Sequence, residues 1–255
     1  MTVANTVTSR PCADSEKRLL SEVRVACSQC NVRELCLPVG LTQEELQQVD
    51  QLVTTRRTVR KGEPLFLNGD PFTSIYAIRT GVFKTRLTTL DGRDQVTGFQ
   101  IAGELVGLDG LSSNRHACDA IALEDAEVCV IPYPRLAELA LKIPGLQRHF
   151  HRLMSREIVR EHGVMLLLAN MRAEERIAAF LLNLVRRMQA RGYSDREVVL
   201  RMTREEIGSY LGLKLETVSR TLSRMAEEGL ISVKQRRVRI EDPERLRALV
   251  ENSTR

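Results

Sequence analysis

Residues 203–231 constrain the fold of this chain more tightly than any other stretch, and they read TREEIGSYLGLKLETVSRTLSRMAEEGLI. Thr203, followed three residues later by Glu206, forms a capping box, which predicts the start of a short helix. Gly212 predicts the end of that helix, and a second helix is predicted from Leu215. Apolar and polar residues alternate at 230–234 and at 238–241, on either side of a basic tip, as in a β-hairpin. The pattern is that of a winged helix-turn-helix domain.

The second of these helices carries side chains that suit base recognition in DNA. Glu216, Ser219 and Arg220 are spaced i, i+3 and i+4, so they share one helical face. Arginine can bind the O6/N7 edge of guanine, and glutamate can accept a hydrogen bond from the paired cytosine. A solvated Glu–Arg ion pair, worth only ~0.5 kcal/mol, is the alternative interpretation. Residues 201–240 hold nine Lys or Arg against five Glu, which favours a nucleic-acid surface.

The helical period disappears between residues 57 and 132, where glycines recur in turn contexts at 62, 69, 81, 92 and 103. Three of the four gaps between them are eleven or twelve residues long. The runs SIYAI, VFKTRLTTL and DQVTGF lie between these turns and are rich in residues typical of strands. Short strands at regular spacing predict a β-barrel or sandwich, such as a jelly roll, and jelly rolls often hold a small ligand.

A long helix is predicted from Pro144 to about Met171. Positions 151, 154, 158, 161, 165 and 168 follow heptad spacing, and four of these six residues are apolar. This stripe favours a two-stranded dimer interface, although packing of the helix on its own barrel is the alternative. The candidate interface residues are Met154, Ile158, Glu161, Met165 and Leu168.

Six cysteines need an explanation other than a disulfide framework, because a cytoplasmic location is expected. The longest apolar run, 164–169, is far shorter than the ~20 residues of a membrane span. The first twenty residues also lack the apolar centre of a secretory signal. Cys27, Cys30 and Cys36 are crowded together, and three such thiolates need a fourth ligand to complete an iron–sulfur set. Structural zinc is the second candidate, although paired C-x2-C motifs are its usual pattern.

Several motifs, taken together, resemble a known family. They are CSQCNVRELCLPVGL, SIYAIRTG, QVTGFQIAGELVGLDG, EVCVIP, RLMSREI, AEERIAAF and EEIGSYLGLKLETVSR. They are similar to the fumarate and nitrate reduction regulator (FNR) branch of the cyclic AMP receptor protein (CRP) superfamily. The similarity runs from about Cys27 to Ile240 and therefore covers nearly everything except the two ends.

The resemblance implies an α+β fold with three parts. These are an N-terminal β jelly-roll domain like those that bind cyclic nucleotides, a long dimerisation helix, and a C-terminal winged helix-turn-helix domain. The implied boundaries are an N-terminal extension at 1–26, a cysteine loop and sensory barrel at 27–143, the dimerisation helix at 144–171, and the DNA-binding domain at 172–255.

The resemblance also implies a function, that of a homodimeric transcription factor rather than an enzyme. Such a protein binds a TTGAT-type inverted repeat in double-stranded DNA, contacts RNA polymerase, and senses oxygen through a 4Fe-4S cluster. The implied cluster ligands are Cys27, Cys30, Cys36 and Cys129, and the implied base contacts are Glu216, Ser219 and Arg220. Cys12 and Cys118 have no ligand counterpart and are expected to be free thiols. The polar flanking residues Ser28, Gln29, Asn31 and Arg33 offer little apolar cover, so an oxygen-accessible cluster is expected.

Three positions depart from the family pattern. Lys214 stands before the second helix, where Ser or Thr is usual, and the missing cap costs ~1 kcal/mol. We expect Lys214 to contact a DNA phosphate instead. Glu161 replaces the usual Asp of the dimer helix and keeps its charge. Arg115 is followed by His116, not by Ser or Thr, so the phosphate-binding cassette near Glu104 is incomplete.

Two other functions stay open as hypotheses. The second hypothesis is a regulator that responds to a cyclic nucleotide, although the incomplete cassette makes cyclic-nucleotide binding unexpected. An enzyme that uses the cluster is the third. Against it, the sequence contains no evident Ser-His-Asp array, P-loop or Gly-rich cofactor loop.

Overall fold

The computed structural model of the protein describes residues 27, 30–53, 55–88, 92 and 94–251. A short 3-10 helix (Arg33–Leu35) and helix α1 (Gln43–Leu52) precede the barrel. Its strands are β1 (Thr55–Val59), β2 (Pro64–Phe66), β3 (Ser74–Thr80), β4 (Val82–Thr88), β5 (Asp94–Ile101), β6 (Leu105–Val106), β7 (Asp119–Ala122) and β8 (Ala126–Pro132).

These strands form two antiparallel sheets, as the glycine spacing predicts. One sheet has the order β1-β8-β3-β6 and the other the order β2-β7-β4-β5. The five predicted turn glycines all have positive φ angles, between 80° and 91°. Gly81, between β3 and β4, has a further constraint, since a Cβ atom there would lie 2.5 Å from the Cβ of Ala126. Glycine is therefore required for the barrel to close at this turn.

Two helices follow the barrel, α2 (Tyr133–Lys142) and the long α3 (Pro144–Asn170). The 27 residues of α3 match the predicted long helix to within one residue. Leu146 and Phe150, near its start, are buried in a core shared with α1 and the sheet that contains β8. The first part of α3 is thereby fixed to the barrel.

The remaining elements build the C-terminal half. They are α4 (Ala173–Gln189), β9 (Glu197–Val199), α5 (Arg204–Leu211), α6 (Leu215–Glu227), β10 (Ile231–Lys234), β11 (Arg237–Ile240) and α7 (Pro243–Glu251). The three strands form one sheet in the order β10-β11-β9. A core that includes Ile177, Leu181, Val218, Leu222 and Met225 joins α4 to α6. The predicted α+β fold, with a β domain, a long helix and a winged helix-turn-helix, is confirmed.

The barrel and the C-terminal half also contact each other directly. The Lys84 ammonium on β4 pairs with the Glu206 carboxylate on α5 at 2.6 Å. The backbone N–H of Val96 on β5 donates to the Ser209 hydroxyl at 2.9 Å. Within the described ranges, no helix is both long and apolar enough to span a membrane.

Candidate functional site

Four cysteines that are distant in sequence lie around one small cavity. Cys27, Cys30 and Cys36 reach it from the loop that precedes α1, which we call the cysteine loop. Cys129 reaches it from β8, where it is paired on one side with β1 and on the other with β3. Cys27 and Cys129 are buried, whereas Cys30 and Cys36 are partly exposed.

Backbone turns hold the cysteine loop in place. The N–H of Cys30 donates to the carbonyl of Cys27 at 3.1 Å, and the 3-10 helix then closes towards Cys36. The N–H of Cys27 donates to the Asp50 carboxylate on α1 at 2.5 Å. Asp50 has no place in the sequence predictions, although the Thr42–Glu45 capping box could have located α1.

The cavity is better covered than the polar loop sequence predicts. Its walls include Leu37, Val49, Val53, Ala77 and Ile131, which come from α1 and the sheet. The expectation of little apolar cover is therefore wrong for the inner side, because covering residues come from distant parts of the chain. Cover is incomplete on the outer side, where two of the cysteines are partly exposed.

Three of the thiols around the cavity, those of Cys27, Cys36 and Cys129, are held in their neutral form. Burial raises the pKa of Cys36 to about 12 and that of Cys129 to about 11, and it also raises the pKa of Cys27. Nearby thiols add to each shift, because a second thiolate would place like charges together. Thiolates form at pH 7 only where a cation offsets both effects.

The arrangement of these thiols bears on the kind of metal centre. Among the residues that the structure describes, no three His, Cys, Asp or Glu side chains converge on a single ion. A structural zinc ion needs four ligands about 2.0–2.3 Å from one point. In a four-iron cluster each cysteine binds a different iron atom, so its ligands lie around a larger volume. Four cysteines line one cavity here, which is the number of thiolates that such a cluster binds.

The other cysteines lie elsewhere. Cys118 is buried in the barrel, away from this cavity, and its thiol donates to the Asp109 carboxylate at 3.6 Å. Burial, together with Asp109, raises its pKa. Cys12 falls outside the described residues.

The helix-turn-helix has the local geometry that its sequence predicts. Both hydrogen bonds of the Thr203–Glu206 capping box are formed, since each side chain accepts from the backbone N–H of the other residue. Gly212 ends α5 at a φ of 63°. Gly208 lets the two helices approach, because a Cβ atom there would lie 2.5 Å from the carbonyl oxygen of Leu213. Lys214 is the N-cap of α6 and makes no side-chain capping bond, as expected from its departure from the family pattern.

Helix α6 presents the candidate base-reading residues to solvent. Glu216 and Arg220 are exposed and Ser219 is half-buried, while Val218 and Leu222 face the core. Among the described residues no carboxylate lies within 4.0 Å of the Arg220 guanidinium, so the Glu216–Arg220 ion pair is not formed. The two side chains are therefore available to a partner. Lys214 is exposed at the same end of the helix.

The wing lies beside this helix as an antiparallel hairpin, with Lys234 paired to Arg237 next to its tip. Gln235 adopts a φ of 55° at the tip, and Arg236 and Arg237 are exposed. Arg224 of α6 pairs with Glu174 of α4 at 2.6 Å, a contact that the sequence does not predict. That contact joins residues 50 positions apart and has no local signal.

The heptad stripe of α3 is only partly covered within one chain. Ile158 is 53% exposed and Met165 is 67% exposed, and Glu161 is also exposed. Met154 and Leu168 are half-buried against the cores at the two ends of the helix. Large exposed apolar side chains in such a row mark a surface suited to another chain.

The residues of the incomplete phosphate cassette have partners within the chain. Arg115 donates to the carbonyl of Gly69 at 2.6 Å. His116 is 2% exposed and stacks on Phe66 with ring centroids 3.6 Å apart. Glu104 accepts hydrogen bonds from Arg187 on α4 and from Arg191, which follows α4.

Two protein-family models match the chain. Residues 56–142 match the cyclic nucleotide-binding domain, and residues 175–249 match the Crp-like helix-turn-helix domain. These matches correspond to the barrel and to the C-terminal half.

Full-length relatives are also similar. The transcriptional regulatory protein btr of Bordetella pertussis is 48% identical over 231 residues, which cover 91% of this chain and 96% of that protein. The fumarate and nitrate reduction regulatory protein of Salmonella typhimurium is 43% identical over 239 residues, covering 92% and 96%. The structure of FixK2 from Bradyrhizobium japonicum matches with a TM-score of 0.71 at 31% identity, covering 76% of this chain and 96% of that one.

Proposed function

The chain belongs to the CRP/FNR family and is a DNA-binding transcriptional regulator of its FNR branch, and on that premise we propose that its DNA binding responds to oxygen through a 4Fe-4S cluster. The observation that carries this proposal is the placement of Cys27, Cys30, Cys36 and Cys129 around one cavity. In this proposal the intact cluster favours a homodimer that binds a TTGAT-type inverted repeat.

The four cysteines fit the donor set that such a cluster requires. When bound, a 4Fe-4S cluster accepts four thiolates and is open to oxidative attack by oxygen. The thiols of Cys36 and Cys129 are neutral without a metal, so release of the metal returns these two to their protonated form. Partial exposure of Cys30 and Cys36 leaves a side from which oxygen can approach.

The proposed DNA contacts follow from the exposed side of α6. Arg220 reads guanine, Glu216 accepts from the paired cytosine, and Ser219 lies between them on the same face. Lys214 contacts a phosphate at the edge of the groove. The wing residue Arg236 adds positive charge beside the helix.

The proposed dimer interface is the stripe of Met154, Ile158, Glu161, Met165 and Leu168. Two copies of Glu161 then meet near a two-fold axis, and burial of like charges opposes association. The dimer is therefore only marginally stable, so a change at the cysteine loop can control its formation. Contact with RNA polymerase is proposed from family membership alone.

The test compares the anaerobically reconstituted protein with the same sample after exposure to air. We expect cluster absorption, iron and sulfide before air, together with dimerisation and tight binding to a TTGAT repeat, and loss of all of these afterwards. Titration with a cyclic nucleotide, in the absence of iron, tests the alternative. Saturable micromolar binding that increases DNA affinity would favour the cyclic-nucleotide regulator instead.

A further inference from the structure

The turn at Gly103 and Glu104 lies directly beneath the cysteine loop. Gly103 is buried at a φ of 86°, and a Cβ atom there would lie 3.0 Å from the Cβ of Leu35 and 3.6 Å from the Cβ of Val32. Both of these residues lie between the second and third cysteines of the loop. A rearrangement of the loop therefore changes what packs on this turn.

The Glu104 carboxylate connects this turn to two helices. It accepts two bonds from Arg187 on α4, at 3.0 and 2.5 Å, and one from Arg191 at 3.0 Å. Arg160 on α3 lies 3.7 Å away, and the N–H of Ile101 donates to the same carboxylate at 3.0 Å. Burial by itself raises the pKa of Glu104, but the three guanidinium groups outweigh it and lower the pKa overall. The carboxylate is thus charged at neutral pH.

The same arginines tie the end of α4 to the barrel backbone. Arg187 also donates to the carbonyl of Phe99 at 2.6 Å, and Arg191 donates to the carbonyl of Ala102. Helix α4 in turn packs on α6 within one apolar core. A displacement of α4 relative to the barrel therefore displaces the helix that carries Arg220.

We infer that Glu104 is a positioning residue that transmits the arrangement of the cysteine loop to α4 and, through α4, to α6. Arg160 precedes Glu161 in the sequence, so the same carboxylate also holds the helix of the proposed dimer interface. The biological meaning of the loop's arrangement rests on the proposed function. The contacts that carry the link are made by the chain itself.

The first test is a double-mutant cycle on the metal-free, full-length protein, using Leu35→Ala and Glu104→Gln. Hydrogen–deuterium exchange of residues 183–191 is the measurement. We expect Leu35→Ala to raise exchange there about threefold or more, and to have no such effect once Glu104→Gln is present. An equal effect of Leu35→Ala in both backgrounds, or no effect in either, would overturn the inference.

Two further variants guard against a purely structural explanation. Arg187→Met breaks the same contact from α4 and replaces Glu104→Gln in the cycle if that variant does not fold. Glu104→Asp retains the charge, and it should restore part of the coupling between Leu35 and α4. Failure of Glu104→Asp to restore any coupling would count against an ionic link.

The second test measures DNA affinity with and without the cluster. Glu104→Gln should keep its iron and sulfide, while the ratio of the two affinities falls about tenfold or more from the wild-type ratio. Lys84→Met is the control, because it breaks a different ion pair between the halves at a distance from the cysteine loop, and its ratio of affinities should stay unchanged. Loss of iron in Glu104→Gln, or an unchanged ratio, contradicts the inference.

The two tests also separate the inference from the proposed function. A wild-type chain whose DNA affinity is the same with and without the cluster contradicts the proposed function. The exchange cycle, which contains no metal, then still decides whether Glu104 links the loop to α4.

Discussion

Arg220 stands on the exposed side of α6 without a carboxylate partner among the described residues. We expect Arg220→Ala to lose roughly 1–3 kcal/mol of binding free energy per half-site and to relax the preference for guanine, since a bidentate contact is removed. Fluorescence anisotropy with the TTGAT repeat, with a repeat changed at the guanine, and with random DNA measures both effects.

Lys214 provides the matched control for Arg220, because it is exposed at the same end of the helix. Lys214→Ala should weaken binding to all DNA sequences alike. It should also reduce the slope of log K against log salt concentration by about one. If Arg220→Ala weakened specific and random DNA equally, base reading by this side chain would be ruled out.

The four cysteines around the cavity are expected to act as a set. Serine at position 27, 30, 36 or 129 should abolish anaerobic cluster absorption and dimerisation, because a hydroxyl is a poor ligand for iron in such a cluster. Iron and sulfide assays after anaerobic reconstitution provide the measurement.

Cys118→Ser is the internal control for this series, since the Cys118 thiol is buried at Asp109 and does not line the cavity. It should retain full iron and sulfide, and Cys12→Ser should do the same. A full iron content in Cys129→Ser together with a loss in either control would move the fourth ligand to another position.

At the level of elements, the close approach of α5 to α6 depends on Gly208. Gly208→Ala should lower the free energy of unfolding by roughly 1–3 kcal/mol, because its Cβ would collide with the Leu213 carbonyl at 2.5 Å. Gly163→Ala in α3 is the control, as no neighbouring atom lies within 4 Å of its Cβ. That change should stabilise the protein by about 0.5–1 kcal/mol. Urea denaturation of the metal-free protein compares them, and similar effects of both would contradict the packing argument.

Elements whose signals are local could be predicted from the sequence. The Thr203–Glu206 box and Gly212 locate α5 closely, and the wing and the long helix are also where their patterns place them. Strand β9 and helix α7 were not predicted. The short β9 is held by pairing with β11, and α7 lies beyond the last motif, so neither has a strong pattern of its own.

Helix α3 carries the proposed control over assembly. Glu161→Ala should dimerise and bind DNA in air without a cluster, because the repulsion between two carboxylates is removed while the apolar stripe remains. Sedimentation velocity in air measures the dimer. Glu138→Ala, which removes the same charge from the exposed side of α2, should remain monomeric. A monomeric Glu161→Ala variant would rule out this stripe as the interface.

At the scale of the whole molecule, the sequence says little about how the two halves meet. Residue patterns separate a β domain from a helix-turn-helix domain, but Lys84 and Glu206 are 122 positions apart. Glu104 is a clearer case, since its position after Gly103 suggests a phosphate cassette while its partners include Arg187 on α4 and Arg191 just after that helix. Such contacts depend on the packed arrangement of both halves and have no periodicity to detect.

Acid should therefore weaken the junction between the halves. The pKa of Glu104 is lowered because three guanidinium groups outweigh burial, and the pKa of Glu206 is lowered by Lys84 and by the capping bonds. A carboxyl whose pKa is lower in the folded state stabilises the protein above its unfolded value of ~4.3. That stability is lost as the pH falls through the folded value.

Glu104→Gln tests this sign directly in urea denaturation of the metal-free protein from pH 7 to pH 3. At pH 7 the free energy of unfolding of the variant should be lower than that of the wild type by about 2 kcal/mol. This loss is smaller than the loss on breaking a fully buried ion pair, because the Glu104 carboxylate is partly exposed. The difference should shrink below pH ~4.3, because protonation then removes the charge of the wild-type carboxylate as well. Lys84→Ala should show the same convergence through Glu206. A difference that stays constant down to pH 3 would mean that charge at Glu104 does not hold the two halves together.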